Sequence, residues 1–222
     1  MKQTLLSWSS GKDSAWTLHL LRQKGDYDIV GLLTTFNQSA DRVAMHAVRR
    51  TVVEAQAKAA GLPLWTVELP WPCSNEQYEC IMKGTWKRAV QANIDCIAFG
   101  DLFLTDIRRY REQQLQNSGL EPIFPIWGKP TRELALAMIT AGLRAKITCI
   151  DPKFLRPDFV GKEFNEQTLS EFPEKIDPCG ENGEFHTCVY AGPMLQHDLI
   201  VKVGEVVSRD GFVFADLNLS HP

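Results

Sequence analysis

Short apolar runs alternate with amphipathic stretches along the first half of the chain. Thr4 to Trp8 predicts a strand, and after a small-residue turn at Ser9-Ser10-Gly11 the positions Ala15, Trp16, Leu18, Leu20 and Leu21 mark a helix. Tyr27 to Phe36 predicts a second strand, and its Ile29-Val30-Gly31-Leu32-Leu33 stretch suits a strand covered on both faces. A polar segment, Asn37 to Met45, reads as a loop. A helix follows from about His46 to Ala60, with Val48, Val52, Ala55 and Ala59 near helical spacing and Gly61 as its stop. Leu64 to Leu69 is a third strand. After Pro70-Trp71-Pro72, Ser74 or Asn75 caps a helix running to about Asn93. Asp95 to Gly100 is a fourth strand, and a helix from Thr105 to Asn117 ends before Gly119. This alternation predicts an α/β fold with a parallel sheet, right-handed crossovers and helices on both faces.

The pattern changes near residue 119. Pro122, Pro125 and Pro130 punctuate a short apolar segment, Ile123 to Trp127. A helix over Arg132–Ala141, a strand over Arg144–Ile150, a short helix near Gln167–Ser170 and a hairpin over Leu199–Leu217 follow. The expectation is two domains: residues 1–118 as a nucleotide-binding part, and residues 119–222 as a smaller α+β part for substrate binding and catalysis. The hairpin offers an edge that a second subunit could pair with, which makes a homodimer a candidate assembly.

Composition narrows the classes. The chain has 222 residues, 44% hydrophobic and 23% charged, as expected of a soluble core. Its formal net charge of -3 gives no electrostatic reason to expect nucleic acid as a partner. No apolar stretch is long enough for a bilayer, and no signal pattern opens the chain, so no membrane partner and a cytoplasmic location are expected. Six cysteines are present without a C-x-x-C pair or zinc spacing, and Cys96 and Cys149 sit in apolar runs as buried free thiols.

The chemistry concentrates in two stretches. Ser9-Ser10-Gly11-Lys12-Asp13-Ser14 turns a strand tightly into a helix, which presents free backbone N–H groups backed by the positive end of the helix dipole. Small residues admit phosphate oxygens, Lys12 adds a positive charge, and three serine hydroxyls can donate. The spacing is not that of a Walker loop. Ligands of a parallel sheet bind beyond the carboxyl ends of its strands, so Thr34, Thr35, Gly100 and Asp101 should converge on this loop. The second stretch is Gly180-Glu181-Asn182-Gly183-Glu184-Phe185-His186-Thr187, where two carboxylates among flexible glycines could serve one ligand or one metal ion, or form an acidic surface turn. Arg108, Arg111 and Glu112 share a helix face, where they serve either a phosphate or carboxylate ligand or a solvated ion pair. His186 could act as a base or orient Glu184, and His46, at a helix start, reads as structural.

The loop resembles the S-G-G-K-D-S pyrophosphate loop of the PP-loop ATP pyrophosphatases, with Ser10 in the place of its first glycine. Together with the G-E-x-G-E-[FY]-x-T stretch, Val43–Arg49, Gly100–Phe103, Arg108–Glu112 and Gly119–Trp127, it resembles the diphthine–ammonia ligase (diphthamide synthase) family over residues 4 to about 193. The resemblance implies a Rossmann-like, adenine nucleotide alpha hydrolase-like sheet, with ATP and Mg²⁺ as cofactors. It implies a carboxylate that is adenylated and then attacked by ammonia, releasing AMP and pyrophosphate, with elongation factor two as the protein that carries the substrate. In that scheme Ser9, Ser10, Gly11, Lys12, Asp13, Ser14, Thr34, Thr35, Gly100 and Asp101 bind the nucleotide, and Asp13 and Asp101 face the metal. Lys12, Glu181 and Glu184 are catalytic. Arg108, Arg111, Glu112, Gly180, Gly183, His186 and Thr187 bind substrate. The alternatives are an amide ligase for another acid, a nucleotide sensor without catalysis, and a tRNA-thiolating relative, whose paired cysteines and basic surface are missing from this sequence.

Overall fold

A computed structural model describes residues 1–43 and 47–220. Strand β1 (Lys2–Ser7) leads through the Ser9–Gly11 turn into helix α1 (Lys12–Lys24), which stops at Gly25 in the left-handed region (φ 72°). Then come β2 (Tyr27–Asn37), the short β3 (Arg42–Val43), α2 (Arg50–Ala60) and β4 (Leu64–Leu69). Helix α3 (Asn75–Gln91) begins in a reciprocal cap: the Ser74 hydroxyl accepts from the Gln77 amide, and the Gln77 side chain accepts from the Ser74 amide. Strand β5 (Cys96–Ala98), α4 (Thr105–Leu115) and β6 (Glu121–Ile123) complete the first sheet. Its parallel strands run in the order β4-β2-β1-β5-β6, with β3 antiparallel to the end of β2.

The second half contributes α5 (Thr131–Thr140), β7 (Arg144–Ile150), a 3-10 turn at Pro157–Phe159, α6 (Glu166–Ser170), β8 (Phe185–Ala191), β9 (Val201–Arg209) and β10 (Phe212–Leu219). These four strands form an antiparallel sheet in the order β8-β7-β10-β9. The observed class is thus the expected α/β one, a parallel sheet with a smaller antiparallel sheet beside it.

Neighbouring strand residues point to opposite faces, and the core divides accordingly. Leu6, Leu32 and Cys96 pack with α1, α2 and α5 in a cluster that continues into β7, β8 and β10. Leu5, Leu33 and Ile97 pack on the other face with Met82, Trp86 and Ala89 of α3 and Leu115 of α4. Helices therefore cover both faces, and the two sheets share one apolar cluster.

Several sequence expectations need correction. Helix α2 starts at Arg50, not His46, and His46 lies outside the described residues. The expected loop after Phe36 contains β3, which pairs back onto Phe36 and Asn37. Strand β6 pairs with β5, so the parallel sheet extends past residue 118. Strand β8 was not expected at all; its Phe185-His186-Thr187 start belongs to the stretch read as a loop.

Candidate functional site

The carboxyl ends of β1 and β5 and the start of β8 meet at a cavity of about 200 Å³. Ser9, Gly11, Lys12, Asp13 and Ser14 line one side, Gly100, Asp101 and Arg111 a second, and Gly180, Glu181, Gly183, His186 and Thr187 a third. Two distant sequence stretches therefore share one cleft, as their chemistry required.

Backbone geometry sets the floor. Ser10 adopts φ 69°, the left-handed region that costs a residue with a Cβ. Its carbonyl is fastened by the Val189 amide at 2.9 Å and by the Gln56 side-chain amide at 3.1 Å. Ser10 itself is fully buried and does not line the cavity. Gly11 must be small because a Cβ there would lie 3.2 Å from the Thr187 carbonyl oxygen. Gly100 must be small because a Cβ would lie 3.0 Å from the Asp13 carbonyl carbon. No side chain caps α1 at Gly11, and the Lys12 amide donates to the Thr187 hydroxyl at 3.1 Å.

Lys12 is 2% exposed. Its ammonium donates to Asp13 Oδ2 at 2.8 Å and to the Cys179 carbonyl, and lies 5.2 Å from the Phe185 ring centre. Burial is the largest influence and works against its charge, but Asp13, Cys179 and Asp177 together hold its pKa above the ordinary lysine value. Among the described residues, Asp13 keeps Oδ1 buried without a hydrogen-bond partner. Asp101 does the same with Oδ2, which sits 3.7 Å from Arg111 Nε, too long for a hydrogen bond. Burial pushes the Asp101 pKa up, while Arg111 pulls the other way.

The two glutamates of the second stretch part company. Glu181 faces the cleft and accepts from the Leu102 amide at 2.7 Å. Burial raises its pKa to about 7, the Leu102 amide opposes this, and Asp13 and Asp101 add to it. Glu184 turns away. It is 2% exposed, accepts from the Asp177 and Asn182 amides at 3.1 and 3.0 Å and from the Asn182 side chain, and does not line the cleft. Its place is that of an anchor for the loop that presents Glu181. His186 lines the cleft, and burial followed by the charge of Lys12 lowers its pKa to about 4, so it is neutral at pH 7.

Four other expected residues lie outside the first cavity. The buried Thr34 hydroxyl donates to the Trp8 carbonyl at 2.8 Å and so supports the loop from behind. Arg108 pairs with Glu112 at 2.8 Å and stacks over Phe124 and Trp127, which leaves both on the helix surface. Thr35 lines a neighbouring cavity of about 250 Å³, which shares Ser7, Ser9, Phe99 and Arg111 with the first.

The sequence reading missed Gln56. It is fully buried and ties four groups together: its amide donates to Ser10 O and, at 2.6 Å, to Val189 O, it touches Cys188 Sγ at 3.5 Å, and its oxygen accepts from Trp8 Nε1 at 2.9 Å. The available signal was a glutamine between Val52-Val53 and Ala59-Ala60 on the apolar face of α2. Cys179, whose carbonyl holds Lys12, was also missed.

Residues 1–122 match the family described as diphthamide synthase N-terminal domain, and residues 131–215 match diphthamide synthase C-terminal domain. The chain belongs to the diphthamide synthase family. A diphthine–ammonia ligase from Schizosaccharomyces pombe is a relative, 24% identical over an alignment of 221 residues that covers 90% of this chain and 36% of the relative. This diphthamide synthase chain thus spans about a third of the length of the curated relative it matches. A solved structure, a predicted subunit of tRNA methyltransferase from Methanocaldococcus jannaschii, superposes with a TM-score of 0.43 at 15% identity, covering 87% of this chain and 98% of its own. Among the described residues of the diphthamide synthase chain, no group of three or more His, Cys, Asp or Glu side chains is placed to hold a metal ion, and no helix is long and apolar enough to cross a membrane.

Proposed function

We propose that the chain is an ATP-dependent ligase that adenylates a carboxylate and transfers ammonia to it. The observation that carries this reading is one cavity that joins the start of α1, Lys12, two carboxylates that each keep a buried oxygen without a hydrogen bond among the described residues, and a glutamate with a pKa near 7. The part that carries the parallel sheet, through β6, supplies the nucleotide side, and the part that carries the antiparallel sheet the acyl and ammonia side. The α1 amides and Lys12 hold the phosphates, and the neighbouring cavity takes the base. Asp13 Oδ1 and Asp101 Oδ2 suit Mg²⁺, a hard cation that takes one or two protein carboxylates and completes its shell with phosphate oxygens and water. That ion would neutralise phosphate charge.

The acid's oxygen attacks the α-phosphorus, the bond to the bridging oxygen breaks, and pyrophosphate leaves with its electrons. Lys12 and the loop amides stabilise the charge on that leaving group. Ammonia then attacks the acyl carbon, and AMP departs with the C–O electron pair. The nucleophile must be neutral, and ammonium predominates at pH 7. Glu181, titrating near 7, is suited to take a proton from it. His186, neutral at that pH, can accept or donate one hydrogen bond without adding charge. The relative's name makes diphthine the first acid to try, on elongation factor two as the family resemblance implies; a different carboxylate is the second.

The test is incubation with α-labelled ATP, Mg²⁺, ammonium and a panel of acids. AMP and pyrophosphate that form only when an acid is present, and are lost in Lys12→Ala and Glu181→Gln, support the ligase. ADP as the product overturns it. Tight ATP binding without turnover on any acid makes the chain a nucleotide sensor instead.

A further inference from the structure

Strand β9 is the outer strand of the antiparallel sheet, and one of its edges has no partner strand among the described residues. Such an edge is a template for another strand. Along it Ile200, Val203, Val206 and Val207 are between 41% and 52% exposed, a concentration of apolar surface in eight residues. The pairing with β10 tells which face each residue takes. Val213, Ala215 and Leu217 are buried, and their partners on β9, Ser208, Val206 and Val203, share that face. Phe214 and Asn218 set Val207 and Lys202 on the other face. Between Val203 and Val206 strand β9 carries one residue more than β10, so Gly204 and Glu205 together oppose Asp216, on the face of Lys202. A Cβ on Gly204 would lie 3.6 Å from the Asp216 Cβ, which agrees with that placement.

With Gly204 and Glu205 counted as one position, the strand reads alike in both directions from Val203. Lys202 and Glu205 stand one step away on either side, and Val201 and Val206 two steps away. A second copy laid antiparallel, with the two Val203 side chains opposite each other, therefore sets valine on valine and lysine on glutamate, twice over. Ile200 then meets Val207. Neighbouring registers fail: centred on Lys202 or on Glu205 they set a charge against its own kind, and centred on Val206 they set Lys202 against Arg209. A lysine and an extra residue shield many edges from stray strands. Here the lysine finds a glutamate, and the extra residue brings the two into line.

We propose that β9 pairs with β9 of a second copy, in register about Val203, so that one antiparallel sheet runs through both copies of a homodimer. This surface lies on the second sheet's free edge and stands whatever the cleft binds.

Sedimentation velocity of the whole chain over a concentration series tests this. The unmodified protein should be a dimer. Lys202→Glu and Glu205→Lys, both at exposed positions, should each weaken it at least about tenfold, because two attracting pairs become repelling ones. Mixed together, the two variants should associate, since one then offers carboxylates at both positions and the other ammonium groups. The chain with both changes should dimerise like the unmodified one, and circular dichroism checks that each variant is folded. An unmodified protein that stays a monomer at every concentration overturns the proposal without any variant. A dimer that both single variants keep unchanged lies on another face and overturns it as well. Folded, monomeric single variants that stay apart when mixed overturn the register.

Discussion

Single side chains in the cleft differ in role by small differences of environment. Glu181 and Glu184 lie three residues apart in a repeated Gly-Glu pattern, yet one faces the cavity and the other is consumed by its own loop. The sequence could place both near a ligand but could not say which way the chain turns at Gly183, where φ is 85°. With Glu181 as base, the rate of amide formation should rise with pH through about 7 and then level. Glu181→Gln should lower the rate by about 10²–10⁴ and abolish that limb, while ATP affinity stays the same; a pH–rate profile beside a binding measurement checks it. Ser10 offers a stability test. It holds a left-handed conformation that glycine adopts freely. Ser10→Gly should stabilise the fold by about 1 kcal/mol, a rise of ~2–4 °C in the melting temperature, read by thermal denaturation. The sequence marked this position as the departure from the family's glycine, and the backbone angle explains why a glycine suits it.

At the scale of elements, the alternation of strands and helices made β1, β2, β4, β5 and their helices readable, because each follows from local apolar spacing. Strand β8 was not readable. Its residues sit beside glycines and carboxylates that signal a loop, and it is a strand because β7 pairs with it and the phosphate loop leans on it. The same reason hides Gln56, whose partners are Trp8 just beyond β1, the loop and β8. The cleft depends on how closely β5 approaches α1. Gly100→Ala would place a methyl 3.0 Å from the Asp13 carbonyl carbon, against backbone that cannot swing aside. The first turn of α1 must then shift, and ATP affinity should fall at least tenfold while secondary structure persists; calorimetry with circular dichroism checks this.

For the whole molecule, two buried groups in one cleft bend stability in opposite directions. Folding raises the Glu181 pKa from 4.5 to about 7, so the folded state binds the proton more tightly and stability falls as pH rises across that window. Folding lowers the His186 pKa from 6.5 to about 4, so the unfolded state binds the proton more tightly and stability rises across 4 to 6.5. The two contributions offset each other where the windows overlap. Glu181→Gln should expose the histidine contribution, with denaturant midpoints that climb from pH 4.5 to 6.5 more steeply than in the unmodified protein. The apolar cluster shared by the two sheets joins them into one body, and the contact between the Lys12 amide and Thr187 spans 175 residues of chain. This distance has a consequence for synthesis. A growing chain exposes the complete serine-glycine-lysine loop well before Thr187 and Val189, which fasten it and follow only once synthesis has advanced the 175 positions from Lys12 to Thr187. A nascent chain therefore has the loop sequence without its anchored geometry, and the cleft closes only once β8 has arrived.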